Sequence, residues 1–258
     1  MPTIAHWPAE AIWQEIYPLL PDFSVEILPE IDSSNSELMR RARAGRTEPT
    51  LLVAEHQTAG RGRQGRDWRS APGDALTFSF GLPLAPRDWS GLSLVAGVAV
   101  AESLHPDLGL KWPNDLWWQD RKVGGILVET AGSGDAGAPR SVVIGVGLNI
   151  AAPQAVEGLR TPPAGLRELV PGITAARALG AVVPALVRAM LDFAGHGFAP
   201  WQARFAERDV LRGRPVTLSD GRRGTAASVD SDGVLQLRLE DGSLEAVRSA
   251  EVSVRPAA

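Results

Sequence analysis

A chain of 258 residues, 44% of them hydrophobic, can bury a proper core and carry one large domain with a smaller one attached. The absence of cysteine excludes disulfide frameworks, thiolate nucleophiles and zinc–sulfur sites, and is compatible with a reducing compartment. A net charge of −4 argues against nonspecific nucleic-acid binding as the main task, because affinity for duplex DNA comes from basic surface that neutralises phosphate.

The opening residues, MPTIAHWPAEAIW, have neither the basic start nor the continuous apolar run of a secretory signal. The longest apolar run, residues 92–101, is far shorter than a membrane span, so the cytoplasm is the expected location. Residues 9–20 read as one short helix closed by Pro18 and Pro21, and the stretch before Ser24 is too short for a helix-turn-helix domain. Residues 25–28 read as a strand, and the sequence DSSNSE at 32–37 leads into a helix through Leu38, Met39 and Ala42. Ser34 and Glu37 stand at capping-box spacing, which is enough to explain both structurally. The same helix start offers free backbone N–H groups beside hydroxyls, a common way to hold a small polar ligand head. Arg40, Arg41, Arg43 and Arg46 read as the solvated face of that helix.

Residues 50–54 and 75–80 read as strands, so EHQTAGRGRQGRDWRSAPGD between them is a loop that leaves and re-enters a sheet. Gly60, Gly62 and Gly65 let the backbone bend and approach a ligand, while Arg61, Arg63, Arg66 and Arg69 bring fixed positive charge and forked donors. Trp68 adds a flat apolar face suited to a purine. A solvated surface loop would share the glycine and arginine content, but the combination suits a nucleotide phosphate. It is neither a Walker A loop nor a dinucleotide fingerprint, because no Gly-Lys-Ser/Thr follows and a strand stands where a helix should.

Residues 89–104 read as a helix with Gly97, Ala99 and Ala101 allowing close packing on a sheet. Short strands are expected at 110–112 and 116–118 around a Pro113-Asn114-Asp115 turn, then a tight turn at Asp120-Arg121 and a strand at 123–129. Taken alone, Lys111 and Lys122 are ordinary strand lysines. Gly124-Gly125 in mid-strand suggests another backbone or a flat ligand lying over them, and VVIGVGLNI at 142–150 is a buried strand with glycines where side chains would block a pocket. Residues 131–140 form a flexible connection. From 161 to 208 the pattern is helical, with Thr174 capping one helix after the Pro171-Gly172 break, a second helix at 198–205 and His196 in a structural turn. Residues 210–255 alternate in short segments separated by Asp-Gly turns at 220–221, 232–233 and 241–242, the pattern of a small β-barrel.

Taken in order, GRGRQGRDW, KWPNDL, RKVGGILVE and VVIGVGLNI resemble the biotin–protein ligases, also called biotin–[acetyl-CoA-carboxylase] ligases, from about Asp32 to Ile150, and the terminal barrel fits the same family. The resemblance implies an α+β fold: a mixed/antiparallel sheet flanked by helices, of the class II aminoacyl-tRNA synthetase-like kind. Residues 1–208 would be the catalytic domain and 209–258 a C-terminal SH3-like β-barrel. It implies biotin and ATP as substrates, Mg2+ as the metal, biotinyl-5′-AMP as the intermediate and the biotin carboxyl carrier protein of acetyl-CoA carboxylase as the partner. Some members of that family carry a DNA-binding helix-turn-helix domain; with no room for one before Ser24 and no membrane span, a ligase without DNA or membrane binding is expected here, and a sheet edge could support a homodimer.

Position by position, Ser33, Ser34, Asn35 and Gln57 look like contacts to the biotin head, with Ser34 standing where relatives often have threonine. Gly60, Arg61, Gly62, Arg63 and Arg66 look like the loop that folds over biotin and phosphates. Lys122 looks like the catalytic lysine between the biotin carboxylate and the α-phosphate. Lys111 resembles a phosphate-side support, and Asp115 a magnesium ligand or a group that orients lysine. Trp68 and Asn149 look like adenine contacts, and Gly124 and Gly125 would leave room for the bicyclic ring. Two competitors stay open: a lipoate–protein ligase sharing the fold, and a biotin- or adenylate-binding regulator without turnover.

Overall fold

The computed structural model describes residues 6–132, 138–153, 161–248 and 254–256. The first sheet holds seven strands: β1 (Ser24–Ile31), β2 (Thr50–Gln57), β3 (Ala75–Leu84), β4 (Gly109–Lys111), β5 (Asp115–Trp118), β6 (Arg121–Ala131) and β7 (Arg140–Asn149). Their order is β1-β2-β3-β7-β6-β5-β4. β1 pairs with β2 in parallel and every other neighbour is antiparallel, so the sheet is mixed, as expected.

Strand alternation gives this sheet two unlike faces. Leu76, Phe78 and Phe80 of β3, with Ile144, Val146 and Leu148 of β7, belong to the main core. Covering that face are α1 (Ala9–Ile16), α3 (Leu92–Leu104) and α4 (Ala175–His196), whose buried stripes complete the core. At 22 residues α4 has the length and apolarity of a membrane span, but it packs against α3 and β3 as a core helix. The opposite face carries α2 (Ser34–Arg43) over a small second cluster of Leu38, Met39, Leu52 and Val143. α2 covers only part of that face, and the remainder is open.

The second sheet comprises β8 (Pro215–Leu218), β9 (Arg223–Val229), β10 (Leu235–Arg238), β11 (Leu244–Val247) and β12 (Val254–Pro256), in the order β11-β10-β9-β8-β12. Its end strands do not pair with each other among the described residues, so the expected closed barrel is an open antiparallel sheet here. Val216, Leu218, Ala226 and Leu237 extend the main core rather than forming a separate one. Trp112 Nε1 donates to Gly233 O at 3.0 Å, and Leu110 exchanges backbone hydrogen bonds with Arg208 and Val210, which fixes the second sheet to the first. Just before it, the expected second helix is α5 (Gln202–Ala206), preceded by one 3-10 turn.

Three local expectations are corrected. The helix cap is Ser33, whose hydroxyl accepts from Ser36 N, while Glu37 turns away to Arg40 and Arg41, so no capping box forms. Arg41 is not merely solvated: it forks onto Glu26 of β1 at 2.6 and 2.9 Å and ties α2 to the sheet edge. The turn into β6 is made by Gln119 and Asp120, both in the left-handed region at φ 49° and 60°, one residue earlier than expected. Thr174 caps α4 as expected, accepting from Arg177 N at 3.2 Å. Residues 133–137 of the 131–140 connection lie outside the described residues.

Candidate functional site

On the open part of the α2 face lies a cleft of about 840 Å³. Its floor is made by the residues of β3, β5, β6 and β7 that point away from the main core. Register places Asp115, Gly125, Gly147 and Thr77 side by side across four strands, with Leu127, Gly145 and Ser79 one row further along. The floor glycines do not simply leave space for a ligand. A Cβ at Gly145 would stand 2.2 Å from Asn35 Oδ1, and one at Gly147 would stand 2.5 Å from the Trp68 ring. They admit the site's own side chains, and those side chains shape the cleft. Gly124 belongs to the other face, where a Cβ would strike Gly147 O and Leu148. Only Gly125 of the pair lines the cleft, because successive residues of a strand point to opposite faces.

One end of the cleft is polar and neutral in sum, its carboxylate Glu129 being paired with Arg61. Ser33, Ser34 and Asn35 open α2, and all three are buried. Gln57, at the end of β2, accepts from Ser34 N at 2.8 Å. Two residues missed in the sequence complete this end. Buried Ser79 of β3 lies 2.7 Å from Ser34 Oγ and donates to Asn35 Oδ1 at 2.6 Å. Glu129 of β6 accepts from Asn35 Nδ2 at 3.0 Å and reaches Arg61 at 3.4 Å. No local motif marks either residue; the one signal was strand alternation, which sets Ser79 among buried aromatics but on the cleft face.

The other end is charged. Asp115 Oδ1 accepts from Lys122 Nζ at 2.7 Å, and Asp115 Oδ2 lies 3.6 Å from Lys111 Nζ. Lys111 is buried, and its ammonium lies 5.2 Å from the centre of the Trp117 ring. Burial holds the Lys111 ammonium below its ordinary value, with Asp115 partly opposing it. Burial works to raise the Asp115 carboxyl, yet attraction to Lys122 and Lys111 outweighs it and leaves the group below the usual carboxylate range. Both oxygens of Asp115 face ammonium groups. Among the described residues no three His, Asp or Glu side chains gather to hold an ion, so this donor set does not fit a protein-held metal.

Over the cleft, the arginine loop is a folded hairpin. Trp68 N donates to Gly60 O at 2.9 Å and Gly62 N to Arg66 O at 2.7 Å. Gly60 is required by this return: a Cβ there would stand 2.3 Å from Trp68 O. Arg61 reaches Ser36 and Glu129 at the neutral end, while Arg63 donates to Asn114 at 3.2 Å near the charged end. The loop thus spans both. Asn149 lines the cleft, but its amide nitrogen already bonds Lys122 O and Ala164 O, tying β7 to β6 and to the segment after it. Val254 and Arg255 of β12 also line the cleft.

Comparison with known proteins agrees along nearly the whole chain. The family model described as biotin/lipoate A/B protein ligase family matches residues 29–149, and that described as biotin protein ligase C terminal domain matches residues 212–255. The chain is 38% identical over 247 residues to the bifunctional ligase/repressor BirA of Escherichia coli (strain K12), covering 91% of this chain and 75% of that protein. It is 33% identical over 246 residues to the biotin--[acetyl-CoA-carboxylase] ligase of Paracoccus denitrificans, covering 88% and 98%. Among solved structures, the biotin protein ligase from Aquifex aeolicus in complex with biotin and ATP superposes with a TM-score of 0.74 at 28% identity, covering 90% of this chain and 99% of that one.

Proposed function

The chain belongs to the biotin/lipoate A/B protein ligase family, and from that premise we propose how its cleft works. It is an ATP-dependent biotin–protein ligase: biotin and ATP give biotinyl-5′-adenylate and pyrophosphate, and the biotinyl group then passes to a lysine of the acetyl-CoA carboxylase carrier. The observation that carries the assignment of roles is the arrangement of Lys111 and Lys122 about Asp115, facing a neutral hydrogen-bonding end along one cleft.

The neutral end takes the biotin head, and the charged end takes the carboxylate and the α-phosphate. Two anions must meet there, so the first demand on the protein is positive charge placed in advance. Lys122, free to turn from Asp115 toward the substrates, neutralises the attacking carboxylate oxygen and the phosphoryl oxygens as the bond to pyrophosphate breaks. Lys111, held between Asp115 and Trp117, supplies a second fixed charge. Asp115 orients the two lysines, in place of the metal role considered for it. Magnesium reaches such a cleft on the nucleotide's own phosphates, and no step here is assigned to it. Arg61 and Arg63 hold the loop over both ends, Arg66 joins them on the phosphate side, and Trp68 offers its face to adenine. Closure keeps water from the acyl adenylate. In the second step the carrier amine attacks the acyl carbon and AMP leaves.

We further assign the chain a cytoplasmic location and no DNA-binding role; its net charge of −4 supports the latter. β1, an edge of the seven-stranded sheet, is the element best placed to pair with a second copy. The test of function is pyrophosphate release from ATP with biotin, lipoate and octanoate in parallel. Release with biotin alone, lost in Lys122→Ala, is expected. Release with lipoate but not biotin would move the protein to the lipoate branch, and silence with all three would leave a binding-only regulator.

A further inference from the structure

The neutral end contains a chain of hydrogen bonds whose direction can be worked out from proton count alone. It starts at Asn35. The Asn35 amide nitrogen faces Glu129 Oε2 at 3.0 Å and Leu127 O at 3.4 Å, both acceptors, so the nitrogen must lie on that side and Oδ1 on the other. Oδ1 can only accept, and its partner 2.6 Å away is Ser79 Oγ. The single hydroxyl proton of Ser79 is therefore committed to Asn35. Ser79 and Ser34 are both buried, with their oxygens 2.7 Å apart, and a contact that short needs a proton between them. Only Ser34 can supply it.

Ser34 Oγ also lies 3.1 Å from Gln57 Oε1, but one hydroxyl proton cannot serve two acceptors. Gln57 Oε1 already receives the Ser34 backbone N–H at 2.8 Å, so it does not depend on the hydroxyl. The same bond leaves the Gln57 amide nitrogen on the side away from Ser34, beside Gly60 of the loop. The direction is thus Ser34 to Ser79 to Asn35 to Glu129, and what Ser34 shows the cleft is a lone pair without a proton.

We propose that buried Ser79, anchored through Asn35 to Glu129, is a positioning residue that makes the Ser34 hydroxyl an acceptor only, so that the head site selects a ligand carrying an N–H at that position. This rests on the reading of the site as a biotin head site, and it adds the physical reason for discrimination between a urea and its oxygen isostere. A cyclic urea offers N–H donors flanking a carbonyl: Ser34 accepts from one N–H while Gln57 Nε2 donates to the carbonyl. A cyclic carbamate, with one ring N–H replaced by O, sets two acceptors against each other at Ser34, and a buried unpaired contact of this kind carries a large penalty.

The test uses the full chain, biotin and the carbamate analogue with oxygen at the ring position facing Ser34, and the kcat/KM for pyrophosphate release with each. The wild type is expected to prefer biotin by about a hundredfold. Ser79→Ala removes the nearer acceptor for the Ser34 proton and leaves only Gln57 Oε1 at 3.1 Å, already occupied by the Ser34 N–H, so a ligand oxygen can compete for that proton and the preference falls below about tenfold through a gain on the analogue as well as a loss on biotin. A gain on one ligand is a signature that general damage to the fold cannot give. If Ser79→Ala does not fold, Asn35→Leu serves: it frees the Ser79 proton to donate to Ser34, and the preference should fall in the same sense. An unchanged ratio in the folded variant, or equal losses on both ligands, overturns the proposal. Wild-type silence with biotin would instead refute the biotin reading itself.

Discussion

The neutral and charged ends of the cleft, set on neighbouring strands of one sheet, solve different problems with different chemistry. At the neutral end, Ser34, Asn35, Gln57 and Ser79 are fixed by hydrogen bonds to one another, so recognition there depends on direction. At the charged end, Lys111 and Lys122 share the single carboxylate of Asp115, so the site holds surplus positive charge in a partly dry setting. Direction discriminates between ligands that bind, whereas surplus charge lowers the cost of bringing two anions together. Specificity should therefore reside mainly at the first end and rate mainly at the second.

The sharpest way to break this division is Lys122→Ala. It is expected to lower kcat for adenylate formation by about a thousandfold while changing biotin affinity by less than about tenfold, as read by pyrophosphate release and calorimetry. A matching collapse of biotin affinity would show that the ends are not separable. Next in size is Asp115→Asn, with an expected loss of about thirtyfold. Burial already holds the Lys111 ammonium low, and Asp115 is what opposes that effect. Without the carboxylate the Lys111 value drops further, so the alkaline limb of the rate profile should move to lower pH. A profile that keeps its position would remove Lys111 from the rate-bearing end.

The neutral end is probed by Gln57→Leu. Loss of the Gln57 amide donor should raise KM for biotin about tenfold and leave kcat within about twofold. A fall in kcat equal to the rise in KM would place rate at the wrong end. The smallest effect is expected outside both, at Asp209 beside Leu110, where burial pushes the carboxyl up to about 6 from 3.8. The folded chain binds this proton more tightly than the unfolded chain. Asp209 therefore costs nothing at low pH and destabilises progressively as pH rises from 3.8 through about 6. Because the side chain is only half-buried, Asp209→Asn should gain about 1 kcal/mol at pH 7 and almost nothing at pH 4, measured by urea unfolding. An equal gain at both values would show that charge is not the cause.

Much of the framework was legible in the amino acids alone. Apolar alternation predicts the strands and helical spacing the helices, because burial on one face imposes those periods whatever the neighbours are. The arginine loop, the lysines and the head-group serines stood out because their motifs are local in sequence. Tertiary structure decided what depends on distant partners. Ser79 and Glu129 enter the site only when β3 and β6 are laid beside β7 and α2 closes over them. Gly124 leaves it because adjacent residues of a strand face opposite ways, and Gly145 and Gly147 prove to accommodate Asn35 and Trp68. That Ser33 and not Ser34 caps the helix is set by one local contact, whereas the lone pair proposed for Ser34 turns on a proton count over five side chains from four separate elements. A periodicity is a property of one segment, but the direction of a hydrogen bond belongs to all the groups that share its protons.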